Sequence, residues 1–277
     1  MKAATGMGYS HRMLDSLLRR GFQIEFHSHA RAILGVDFPE AVRELEEAIG
    51  GLTIPIEEIV GSGGGEAKGT QRLRRALTQS GWVKTNFTIE KRINGTPRES
   101  ISHEVDHVRS FDGRGVVAME IEWNNKDPFF DRDLENFKRL HAEGAIAVGA
   151  IVTRGTSLQS DMIAMVRRFA EERNIRTIED IRALSLNPTP RQVKDVERRM
   201  VGGKASFAEA WASSFCADKY GAATTHWRKL DDRMRRGVGN PCPLLLVGLP
   251  ASIVTFSERL DVEAIAAGED EAVLSDP

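Results

Sequence analysis

Glu120 and Glu122 stand one residue apart in the apolar run VAMEIEWNNKDPF, residues 117–129. A strand sends alternate side chains to opposite faces. Ala118, Glu120, Glu122 and Asn124 then share one face, while Val117, Met119, Ile121 and Trp123 share the other, which reads as core. Two carboxylates side by side repel each other, and a bound cation is the commonest reason to keep them there. Upstream, residues 101–109 (ISHEVDHVR) read as another strand, with Glu104 and Asp106 on one face and Val105 on the other. Between them, Phe111-Asp112-Gly113-Arg114-Gly115 carries the Asp-Gly cue of a hairpin. Closure there brings Asp106 across from Glu120, so Asp106, Glu120 and Glu122 are expected to converge at one end of a sheet. Asp112, just before Gly113, suits the turn better than a ligand position.

Three such carboxylates fit Mg²⁺, a hard ion that takes oxygen ligands and keeps waters. A site of this kind activates a water and neutralises charge on a phosphoryl group in transfer. Asn124, Asn125 and Lys126, just past the strand, are candidates to hold a phosphate or substrate. The paired acids of a glycosidase fit poorly, because neighbouring strand positions lie closer together than those two acids require.

The elements that must position these residues follow from periodicity. Residues 86–93 alternate as a strand, and Asn94-Gly95 signals a turn into the strand bearing Asp106. Residues 131–143 read as a helix with Leu134, Phe137 and Leu140 or His141 inward, closed by Gly144. Residues 145–153 (AIAVGAIVT) are a wholly apolar strand, the kind buried on both faces. Residues 158–186 and most of 188–219 read as helical, the latter as an insertion, before a last apolar strand at 243–249. Toward the N-terminus, residues 23–34 (QIEFHSHARAIL) look strand-like, residues 38–49 form an amphipathic helix with Pro39 near its start, and 52–60 form a connector. A metal role for His27 and His29 would need a third ligand that the neighbouring sequence lacks. The glycine run 63–65 leads into a helix from Glu66 to Gln79, but the Gly-Lys-Ser/Thr of a phosphate-binding P-loop is missing.

The chain has 277 residues, enough for one large domain, and 41% are hydrophobic and 28% charged, as in ordinary soluble proteins. With Cys216 and Cys242 as its only cysteines, it does not read as a disulfide scaffold. No signal peptide and no membrane span are recognisable, so a cytoplasmic protein is expected. Acidic residues gather after residue 257, leaving a mildly basic body. Basic clusters occur around Arg72-Arg74-Arg75, Arg191-Lys194-Arg198-Arg199 and Arg228-Lys229-Arg233-Arg235-Arg236. They read as solvated helix faces or as surfaces for a polyanion.

The pattern D…ExE on a hairpin, followed by a helix and a buried strand, resembles the PD-(D/E)xK nuclease core. GGGE…TQRLRRAL…GW, VDHVR…MEIEWNNKDPFFDRDLENFKRLH, GAIVTRG and YGAATTH…CPLLLVGL resemble the BglII/BstYI-type restriction endonucleases, most strongly over residues 63–155 and again over 220–249. The resemblance implies an α/β fold, a restriction-endonuclease-like core with a mixed β-sheet flanked by helices. The whole chain would be a single nuclease domain: 1–60 an N-terminal elaboration, 63–155 the catalytic core, 187–219 a helical insertion, 251–277 an acidic tail. It implies a homodimeric, Mg²⁺-dependent type II enzyme that cuts double-stranded DNA at a short palindrome and leaves 5′-phosphate ends. A nicking or repair nuclease, or a DNA-binding protein that no longer cleaves, is the alternative.

Carried over residue by residue, Asp106 and Glu120, with Ile121 between the glutamates, match the metal-binding positions. Glu122 matches the third catalytic position, usually Lys, which leaves the base to Glu122 or to bulk solvent. Glu66 matches the place of a fourth acid, and a first-turn glutamate also answers the helix dipole. The implied DNA contacts are Asn124, Asn125, Lys126, Arg154, Thr156, Thr224, Thr225, His226 and Lys229. Residues 110–115 look like an addition to the family pattern between Asp106 and Glu120.

Overall fold

The computed structural model describes residues 13–61 and 67–257. The glycine run, Glu66 and the acidic tail from residue 258 lie outside the described residues. In chain order the elements are α1 (Asp15–Arg19), β1 (Gln23–His27), α2 (Ala30–Asp37), α3 (Pro39–Gly50), β2 (Ile54–Pro55), α4 (Ile56–Val60) and α5 (Lys68–Gln79). There follow β3 (Val83–Ile93), β4 (Thr96–Phe111), β5 (Gly115–Glu122), α6 (Phe129–Ala142), β6 (Val148–Arg154), α7 (Thr156–Glu172) and α8 (Ile178–Ala183). The chain continues through α9 (Pro190–Met200), α10 (Phe207–Lys219), α11 (Trp227–Arg235), β7 (Leu244–Leu249) and β8 (Val254–Thr255).

Six strands form a mixed sheet in the order β1-β7-β6-β5-β4-β3. The centre, β5-β6-β7, is parallel, and β4, β3 and β1 run antiparallel to their neighbours. β2 and β8 pair separately. Every residue of β6 is buried, as its unbroken apolar run requires of a strand covered on both faces. Val117 and Met119 of β5 enter the larger core with residues of α2, α3, α5, α7 and α10. Ala118 enters the other core, with Phe130, Leu134 and Phe137 of α6 and Trp227 and Leu230 of α11. Gly149 lets α6 approach β6 closely, since a Cβ there would lie 2.6 Å from the Phe137 ring. Both expected hairpins form. Asn94 and Gly95 have φ of 51° and 79°, as a tight two-residue turn demands, and Gly113 has φ of 69°.

One expectation changes. The strand-like stretch 23–34 ends at His27, because Ser28 and His29 adopt φ of 50° and 67° and turn the chain into α2. Ala30 and Leu34, four residues apart, are buried on one side of that helix, a helical rather than a strand period. His27 therefore pairs with Glu25 at 3.2 Å, and His29 lies off the strand. The N-terminal sixty residues supply an edge strand of the main sheet as well as an elaboration. Residues 187–219 pack into the larger core: Phe169, Trp211, Phe215 and Tyr220 meet in series as tilted or edge-on rings with centroids 6.4, 5.8 and 6.0 Å apart. Both cysteines are free and buried. Among the described residues, no helix is long and apolar enough to cross a membrane.

Candidate active site

β5 carries its glutamates past the end of its pairing with β4. β4 pairs with β5 from Phe111↔Gly115 to His107↔Met119, while β5 continues beside β6 to Glu122↔Thr153. On its other side β4 has an extra residue: Val83 faces Val108 but Thr85 faces Val105, so Asp106 and His107 stand against Lys84 alone. Such a bulge bends a strand and re-aims its side chains. Here it falls where the pairing of β4 with β5 ends.

The backbone N–H of Asp106 donates to Glu120 Oε1 at 3.4 Å. The Asp106 carboxylate goes to Lys84 Nζ at 3.3 Å, and Lys84 also meets Glu104 at 2.6 Å. Glu120 and Glu122 are 7% and 2% exposed, and a third acid, Asp133 on α6, is 1% exposed. The expected trio is therefore altered. Glu120 and Glu122 converge with Asp133, whereas Asp106 offers its amide and keeps its carboxylate on Lys84, because the bulge sets it opposite that lysine.

Burial pushes the Glu120 carboxyl up to about 9, with the charges of Asp133 and Asp106 adding to the effect. Burial raises Glu122 as well, and Asp133 adds to it, while Asn125 and Arg132 oppose the rise. Asp133 is raised chiefly by burial, opposed by hydrogen bonds from Glu122 and Arg132. Asp133 Oδ1 accepts from Arg132 Nε at 2.8 Å. Arg132 also lies 3.8 Å from Glu122.

Buried carboxyl groups crowded in this way need a proton or a cation among them. The oxygen-only donor set suits a hard divalent ion such as Mg²⁺. Among the described residues, however, no three acids, histidines or cysteines stand in a geometry already able to hold a metal ion. Sequence reasoning missed Asp133. The signal was there: the buried stripe of α6 runs Phe130, Asp133, Leu134, Phe137, Leu140, and an acid occupies one of its apolar positions.

The other expected site residues divide by exposure. Ile121 is half-buried between the glutamates, Asn125 and Lys126 are exposed, and Asn124 is half-buried. Asn125 Nδ2 donates to Glu122 Oε2 at 2.9 Å, and Asn124 Nδ2 donates to the Lys219 carbonyl at 3.0 Å. Thr224 lies on a loop bridged to Lys126. Arg154 and Thr225 are wholly buried, and burial lowers the Arg154 guanidinium to about 10. His226 is 7% exposed, and burial lowers its imidazole to about 4. Lys229 pairs with Asp127 at 3.1 Å, and exposed Thr156 opens α7 with its N–H on Gln23. Many residues of the basic clusters are neutralised locally. Arg72 meets Glu58, Arg199 meets Asp195, Arg233 meets Asp127 and Asp131, and Arg235 meets Asp231.

A family model described as restriction endonuclease BglII/BglIII matches residues 22–249. It starts just before β1 and ends at the last residue of β7, so it takes in the whole six-stranded sheet. No curated protein matches the chain.

Proposed function

Because the chain belongs to the BglII/BglIII restriction endonuclease family, whose members are type II DNA hydrolases, we propose that it cuts both strands of a short palindrome as a Mg²⁺-dependent homodimer. The observation that carries this reading is the buried acid cluster at the end of β5. Glu120, Glu122 and Asp133 are buried together although like charges oppose it, an arrangement that a divalent cation relieves. Glu120, Asp106 and Ile121 would hold the ion, with Asp106 turning from Lys84. When bound, the ion would neutralise phosphate charge and lower the pKa of the attacking water.

The chain's own residues do the rest. Ionised Glu122, oriented by Asn125 and facing Arg132, accepts the proton of that water, unless bulk solvent takes it. The water oxygen bonds to phosphorus as the bond to the 3′ oxygen breaks, and that oxygen takes a proton from solvent, leaving a 5′-phosphate and a 3′-hydroxyl. Exposed Lys126, with Thr224 bridged to it, and exposed Thr156 would meet the DNA backbone. The test is incubation of the protein with plasmid DNA and Mg²⁺ beside Glu120→Ala. Discrete fragments with 5′-phosphate ends, absent for the variant, are expected. Retardation of DNA without cutting by either protein refutes the reading, and a smear refutes its site-specific part.

A further inference from the structure

The loop at residues 221–226 is hydrogen-bonded to the chain that follows β5. Asn125 N–H donates to Thr225 Oγ1 at 3.1 Å, and Thr225 N–H donates to the Asn125 carbonyl at 2.8 Å. Asp127 N–H donates to the Ala223 carbonyl at 3.0 Å. On the other side of the loop, Arg154 donates to the Thr225 carbonyl from Nε at 3.2 Å and from Nη2 at 2.7 Å. Its Nη2 also reaches Thr224 Oγ1 at 2.6 Å. The residue before Arg154, Thr153, donates its hydroxyl to the Glu122 carbonyl at 2.7 Å. Asn125 closes the circuit through its side chain on Glu122 Oε2.

Glu122, Asn125, Thr225, Arg154 and Thr153 thus form one ring, and every member but Asn125 is buried. In low dielectric such bonds are strong, and loss of one partner strands another buried polar group. Arg154 and Thr225 present no surface to a ligand in this arrangement, whereas Ala222, Ala223 and Lys126 beside them are exposed. The exposed part of the loop is thus connected to Glu122 through Thr225 and Asn125.

We propose that Thr225 and Asn125 are positioning residues that couple DNA occupancy of the 221–226 loop to the placement of the Glu122 carboxylate. This rests on the reading of the protein as a DNA-cleaving enzyme whose loop lies against DNA. Thr225 holds the Asn125 backbone, and the Asn125 side chain orients the acid. The hydroxyl of Thr225 serves cleavage rather than DNA affinity.

The experiment compares wild type, Thr225→Val, Thr225→Ser and Asn125→Ala on a DNA fragment that the wild type cuts. Single-turnover cleavage is measured in Mg²⁺, and affinity for the same fragment by fluorescence anisotropy in Ca²⁺. Thr225→Val and Asn125→Ala are expected to cut about 10- to 100-fold more slowly, as misplaced reacting groups do. Their DNA affinity should stay within about threefold, and Thr225→Ser should restore cleavage, since it keeps the hydroxyl. Wild-type rates in both slow variants overturn the proposal. So does a parallel loss of rate and affinity, which would make Thr225 part of the binding surface. Failure of Thr225→Ser to restore cleavage also overturns it. A wild type that cuts no DNA overturns the parent reading and the coupling with it.

Discussion

Glu120→Gln tests the acidic cluster without touching the shape of the site. The amide keeps an oxygen for the Asp106 N–H and cannot take on the charge that Asp133, Asp106 and Glu122 oppose. The native carboxyl lies at about 9, against an ordinary 4.5. Over that window the unfolded chain has lost the proton that the native state still holds, so stability falls as pH rises, by up to about 1.4 kcal/mol per unit. Near pH 7.5, roughly three units above the unfolded value, the ceiling is about 4 kcal/mol. Water penetration and side-chain relaxation reduce it to about 1–3 kcal/mol. Melting followed by fluorescence without metal should place Glu120→Gln about 3–10 °C above wild type at pH 7.5, and close to it at pH 5. Added Mg²⁺ should then raise the melting temperature of the wild type and leave the variant unmoved, because only a native state that binds the ion is stabilised. Cleavage by the variant should be lost. A difference in melting temperature that is equal at pH 5 and pH 8 would refute the electrostatic argument. Equal Mg²⁺ stabilisation of both proteins would refute Glu120 as a ligand of the proposed cation.

Lys84→Ala frees the Asp106 carboxylate, and calorimetry should show Mg²⁺ binding about two- to fivefold tighter, the scale of an exposed ion pair. His226 is lowered to about 4, so the unfolded chain protonates first and stability drops as pH falls from 6.5 toward 4. His226→Gln should remove about 1 kcal/mol of that acid-side loss, read as a smaller fall in melting temperature between pH 6.5 and pH 5. Gly149→Ala sets a Cβ 2.6 Å from the buried Phe137 ring and should cost about 1–3 kcal/mol in urea unfolding, with no change in Mg²⁺ affinity.

Much of the frame was legible from local pattern. Alternation in residues 117–123 sends Val117 and Met119 to one core and Ala118 to the other, as observed. Asp112-Gly113 and Asn94-Gly95 mark their turns because a positive φ suits those residues. The unbroken apolar run of β6 implied a strand covered on both faces, and it lies in the sheet between β5 and β7. The stretch 23–34 misled because histidine and serine among apolar residues match a period of two as far as Ser28, and only the burial of Ala30 with Leu34 shows the helix that follows.

The chemistry divides in the same way. Two glutamates one residue apart on an apolar strand are a local fact, and the sequence alone determined that they share a face and repel. It also determined that Asp106 lies on the neighbouring strand, since a hairpin returns the chain to its own partner. Only the tertiary structure decided what surrounds them. A one-residue bulge, invisible to a pattern of alternation, turned the Asp106 carboxylate to Lys84. Asp133 arrives from the helix that crosses to β6, and Thr225 and Arg154 arrive from segments about 70 residues apart in the chain. Such contacts depend on how strands splay and how closely helices approach the sheet, which the packing of many distant side chains settles together. A pair of glutamates in a sequence is a charge problem; its answer here, a buried acid cluster braced by the 221–226 loop, exists only in the folded chain.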